Sequence, residues 1–145
     1  MKIESLGLRL AIGASVAVSG VIHAYLYTAG YRDIPTIGLA FLLQGSVFCA
    51  LALLILVGGP AWIQVVATVG AAGSLAAFTL SRTIGLFGFI ETGWEPSPYT
   101  WLSVVAEVMT ILLVGAVFVR RRARSSEAVR PDRRPIQTES SIHGR

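Results

Sequence analysis

Two side chains that can exchange protons, His23 and Glu107, stand inside long apolar stretches of this 145-residue chain. Ionisable groups in such stretches are costly and normally face a bundle interior or a cavity. An imidazole can titrate near neutral pH, so a His facing a buried carboxyl can hand over or share a proton. Polar residues repeat around both. Ser15, Ser19, His23 and Tyr27 recur every four residues, and Thr100, Ser103, Glu107 and Thr110 recur at three and four, the spacing of one helix face. Gln44 and Ser74 stand in two further apolar runs.

Depth can be counted at 1.5 Å per helical residue. From the helix ends nearest the 82–99 connection, His23 and Glu107 lie about 9 and 10 Å in, with Gln44 and Ser74 close to the same level. Four helices thus carry one polar layer. Three readings of it stand side by side. It is glue, with Glu107 held by His23, Gln44 or Arg82, since such networks fix helix register. It is a proton-linked or ligand-binding site, formed by His23, Tyr27, Gln44, Ser74, Arg82, Ser103 and Glu107. Or it is a haem or metal centre, for which one His and one Glu are few, as zinc takes at least three good protein ligands. No metal site is assigned, and no cofactor is expected.

No enzyme motif accompanies the layer: the chain lacks a Gly-rich phosphate loop, HExxH and a nucleophile elbow. Cys49 is the single cysteine, so an internal disulfide or CxxC redox pair is excluded. It reads as a small buried hydrophobe.

The elements that position the layer are legible from composition. The chain is 54% hydrophobic and 14% charged, with mean hydropathy +0.69, too little charge to cover a soluble domain. Four apolar runs, about 6–29, 36–57, 61–81 and 100–119, each approach the ~20 residues that cross a bilayer. The expected fold is all-α, a four-helix transmembrane bundle over residues 1–124, followed by a disordered basic tail over 125–145. Gly58-Gly59-Pro60 is a tight break, so the second and third helices form an antiparallel hairpin. The first run is too long for a signal peptide and lacks a clean cleavage site, so it is read as a retained helix.

Lys2, Arg9 and eight arginines after the fourth run fall on one side, against Arg32 and Arg82 on the other. Cations favour the cytoplasmic side, so both termini are expected there. Arg120, Arg121, Arg122 and Arg124 are expected at anionic lipid headgroups. Positive charge gathered at one end does not describe a nucleic-acid binder. The expected partners are therefore the bilayer itself, with a homo-oligomer or a membrane-complex partner.

The connection RTIGLFGFIETGWEPSPY, Arg82 to Tyr99, mixes aromatic and charged residues. It is expected to lie at the outer membrane surface as an amphipathic cap, with room for a short helical turn and with Glu91, Trp94 and Glu95 as its polar and interfacial residues. Ser81-Arg82-Thr83-x-Gly85-Leu86, then Trp94-Glu95-Pro96, then Glu107, resembles a group of uncharacterised small four-helix integral membrane proteins of actinobacteria. The likeness covers mainly residues 81–107, with an echo around His23. In that group a proline often follows the Gly-Leu pair, where this chain has Phe87. The resemblance implies the four-helix fold and a bacterial inner membrane, and it implies no activity.

The expected function is a non-enzymatic accessory or sensor subunit. The alternatives are a proton-linked carrier of a small solute acting as a homo-oligomer, and a haem- or metal-dependent membrane redox protein.

Overall fold

A computed structural model describes residues 3–128. Lys2 and the stretch 129–145, which holds most of the expected disordered tail, lie outside the described residues. The rest is all-helical: α1 (Ile3–Leu26), a π-turn (Tyr27–Tyr31), α2 (Ile37–Leu56), α3 (Trp62–Thr83) and α4 (Tyr99–Ala128). All four helices are long and apolar enough to cross a membrane. Their outward faces are apolar too, with Leu53, Val69 and Leu112 exposed by 65%, 67% and 61%. Water would penalise such surfaces, whereas lipid tails accept them.

α4 continues past the expected end of its apolar run, so Arg120 to Arg124 and residues 125–128 are helical rather than part of a tail. No Gly or Pro interrupts this stretch, and Arg and Ala are strong helix formers.

α1 packs chiefly on α2 and α4, α4 also packs on α3, and α2 and α3 touch less closely than any of these pairs. Glycines set the α1–α2 approach. A β-carbon on Gly20 would stand 2.9 Å from the Cys49 amide nitrogen, and one on Gly45 2.9 Å from that of Ala24. The hairpin between α2 and α3 is closed by a Schellman motif: Gly59 N–H donates to Leu54 O (2.8 Å) and Gly58 N–H to Ile55 O (3.1 Å). Gly58 has φ 90°, which a side chain would strain. Toward this end the interior is a dry core of Ile12, Val16, Leu51, Ile55, Ile63, Ala67 and Val114, with Phe48 at its edge. At the opposite end the separation of α2 from α3 leaves a cavity.

Candidate functional site

The cavity measures about 420 Å³ and opens between α2, α3 and α4 beneath the 84–98 connection. His23, Gln44, Ser74, Ser103 and Glu107 line it, so one layer of four helices supplies its polar floor. Phe41, Phe78, Leu86 and Phe89 are among its apolar walls, and Tyr31, Arg82 and Glu91 line its mouth.

Glu107 is 1% exposed, yet it is not orphaned. Ser19 Oγ donates to its Oε1 at 3.0 Å and Ser103 Oγ at 3.2 Å. The His23 ring lies alongside, with Nε2 3.9 Å from the same oxygen. His23 Nδ1 is 2.9 Å from the carbonyl of Ser19. A carbonyl only accepts, so Nδ1 carries a hydrogen, and in the neutral ring Nε2 presents a lone pair to the cavity. Ser74 Oγ stands 3.4 Å from that nitrogen. The polar faces of α1 and α4 continue inward through a Ser15–Thr110 hydroxyl pair at 2.8 Å. Serines recurring every four residues thus provide the carboxyl's donors, at positions small enough to let the helices close.

Gln44 and Arg82 do not hold Glu107, as one sequence reading had them do. Gln44 reaches the cavity wall, where its buried Nε2 has no hydrogen-bond partner. Arg82 turns the other way, to the loop: Nη2 meets Glu91 Oε2 at 3.1 Å and Glu95 O at 2.9 Å, and Nη1 donates to Gly93 O. Its guanidinium also lies 4.9 Å over the Phe78 ring. An arginine at a helix end meets several fixed carbonyls at the loop, whereas reaching Glu107 would take its charge deeper between apolar walls.

Tyr27 is half-buried but is absent from the cavity lining, whereas His23 of the same stripe belongs to it. Four-residue spacing drifts about 40° per step, and the step after His23 carries Tyr27 away from the floor. The side of α1 that meets the cavity runs through His23 and Leu26 to Tyr31. Tyr31 gets there because the π-turn closes with Arg32 N–H on Tyr27 O (3.0 Å) and Gly30 takes φ 153°. Its ring stacks on Phe41 at 4.5 Å, and its hydroxyl donates to Glu91. Sequence reasoning placed Tyr31 in a plain break, and only the Gly30-Tyr31 pair after a helical stripe hinted otherwise.

The connection over the cavity contains a tight turn and no helix among its residues. Leu86 and Phe89 exchange backbone bonds of 2.8 and 2.9 Å, with φ 52° at Phe87 and 82° at Gly88. Paired positive φ values make this a hairpin-type turn, which a helix cannot accommodate. Glu91 N–H donates to Ser81 O at 3.1 Å, fixing the loop to the end of α3. Trp94 stacks on Trp101 with centroids 3.6 Å apart and nearly parallel planes, so it pins the loop to the flank of α4. The Glu95 carboxylate accepts the Ser97 N–H at 2.8 Å and serves its own turn. Glu91 therefore lines the cavity, while Trp94 and Glu95 shape the loop beside it.

Among the described residues no three His, Cys, Asp or Glu side chains gather into a metal-binding group. The arrangement offers something else, a dry-walled chamber with an acid and a base at its floor. The chain matches no protein-family model, no curated protein and no solved structure.

Proposed function

We propose that this chain is a multi-pass protein of the bacterial plasma membrane that binds a small solute in its intramembrane cavity, as a non-enzymatic sensor or accessory subunit. The observation carrying this reading is the cavity itself. A polar layer that served only as glue would be packed shut, as the α1–α4 seam is at Ser15 and Thr110. Instead the layer borders open volume within the size range of ligand pockets, with apolar walls and a few convergent polar groups.

In this reading both termini are cytoplasmic, because cations gather at the terminal end of the bundle. The cavity then faces outward, and the 84–98 loop covers it from the membrane surface, held by Arg82, Glu91 and Tyr31. Arg120, Arg121, Arg122 and Arg124 sit among anionic headgroups of the inner leaflet. A bound solute changes how the loop is held, and a second copy or a larger membrane complex reads that change. The likeness of residues 81–107 to small actinobacterial membrane proteins agrees with this location.

A second reading, a proton-linked carrier assembled as a homo-oligomer, is favoured by one observation. His23 Nε2 and Glu107 Oε1 face each other as proton acceptors in the same chamber.

Accessibility tests the outward opening. In a Cys49→Ala background, a Ser74→Cys thiol is expected to react with a small membrane-impermeant thiol reagent added outside intact cells. A Gly115→Cys thiol on the lipid-facing side of α4 stays unlabelled. Labelling of Ser74→Cys only from the cytoplasmic side would reverse the topology, and labelling from neither side would close the cavity.

A further inference from the structure

From the facing of His23 Nε2 and Glu107 Oε1 across 3.9 Å, with aromatic walls above them, we infer that the solute is a small apolar amine whose ammonium group takes the place of a shared proton between the two. This rests on the reading of the cavity as a ligand site.

Two acceptors stand side by side at the floor, with the Ser74 hydroxyl 3.4 Å from one of them. Nδ1 of His23 spends its hydrogen on the Ser19 carbonyl, so the nitrogen left to the cavity is a lone pair. Beside it stands a carboxyl group that accepts from two serines. Two acceptors at 3.9 Å do not bond to one another without a hydrogen between them. One donor group satisfies both: an ammonium nitrogen about 2.8 Å from each would see them about 90° apart, within the reach of its tetrahedral N–H bonds. A proton on either partner relieves the same conflict, so proton and ammonium compete for one place.

The charge of the chamber points the same way. Arg82 is the cation at the mouth, and it is already matched by Glu91, two loop carbonyls and the Phe78 ring. Among the described residues no Arg or Lys pairs with Glu107, so its carboxylate form has no cation partner when the imidazole is neutral. A carboxylate solute could take the unpartnered Gln44 amide but would be repelled by the Glu107 carboxylate beside it, whereas an ammonium would meet two acceptors at once. The walls suit the remainder of such a solute. Tyr31 stacks on Phe41, Phe41 lies 5.1 Å from the His23 ring, and Phe89 meets Tyr31 edge-on at 6.2 Å. Aromatic faces attract a cation and accept an alkyl or aryl tail.

The test uses the full-length chain in detergent micelles and three probes of one shape: phenethylammonium, 2-phenylethanol and 3-phenylpropionate. Calorimetry at pH 7.5 should show phenethylammonium binding at least tenfold more tightly than either other probe. Repetition in two buffers of different ionisation enthalpy should show proton release on binding. Affinity should fall as pH is lowered, with His23 and Glu107 titrating at the floor and Arg82, Glu91 and Tyr31 facing them from the mouth. Glu107→Gln should weaken the amine at least tenfold and end the proton release, and Ala77→Leu, which fills the wall from α3, should block all three probes.

If the alcohol or the carboxylate binds as well as the amine, the amine inference fails while the ligand cavity stands. If none of the three saturates, the cavity reading fails and takes the inference with it. Should Glu107→Gln not fold, the ranking of the three probes on the unaltered chain decides.

Discussion

His23 Nε2 stands 3.9 Å from Glu107 Oε1, and the same imidazole is anchored by Nδ1–H on the Ser19 carbonyl at 2.9 Å. One backbone carbonyl thereby determines which nitrogen faces the acid. Ser19 contributes twice, since its hydroxyl donates to Glu107. The residue ties the base, the acid and the helix backbone into one unit.

The serine bonds predict how Glu107 tolerates change. A glutamine keeps an acceptor for Ser19 and Ser103, so Glu107→Gln should cost under about 1 kcal/mol of stability. Glu107→Ala leaves both hydroxyls without that partner and opens a void, costing about 2–4 kcal/mol. Unfolding in mixed micelles compares the two variants. Equal losses would mean that the carboxylate charge, rather than its hydrogen-bond geometry, holds the seam.

Much of this floor is legible in the amino-acid sequence, and the reason is physical. A helix rises by a constant amount per residue, so counting from the helix ends put His23, Gln44, Ser74 and Glu107 at one level, and all four line the cavity. Tyr31 and Glu91 were harder. The place of Tyr31 depends on a π-turn and on Gly30 at φ 153°, and that of Glu91 on a loop path set by positive φ at Gly85, Phe87, Gly88 and Gly93. Neither is a periodic signal. The cavity was not legible either, because it arises from the distance between α2 and α3, which no single helix encodes.

Ser15 and Thr110 predict a measurable coupling across the α1–α4 seam. Their hydroxyls meet at 2.8 Å, and Thr110 is fully buried. A double-mutant cycle of Ser15→Ala and Thr110→Val should give about 0.5–1.5 kcal/mol, the range for hydrogen bonds between membrane helices. Strict additivity would show that the pair contributes nothing beyond its separate backbone bonds.

Glycine substitutions should divide sharply by position. Gly20→Ala and Gly45→Ala each drive a β-carbon into the backbone of the neighbouring helix and should cost about 1–3 kcal/mol. Gly115→Ala meets nothing within 4 Å and should be neutral or stabilising by up to about 1 kcal/mol. Thermal unfolding of the three proteins checks the contrast, and uniform losses would contradict the close α1–α2 approach.

The loop should loosen when its ionic tie is cut. Glu91 receives both Arg82 and the Tyr31 hydroxyl, joining the loop to α3 and to the π-turn. Glu91→Gln should raise amide hydrogen exchange across residues 84–95 and leave the centres of the four helices unchanged. Protection equal to the parent chain would show that the Trp94–Trp101 stack and the backbone turn hold the loop alone.

The ligand cavity itself is tested most directly by native mass spectrometry of the full-length protein released from its own membranes. The parent chain should carry a small-molecule adduct that dissociates on activation, and Ala77→Leu should fly without it. Identical spectra from the two proteins, with no adduct beyond lipid common to both, would contradict a solute site above His23 and Glu107.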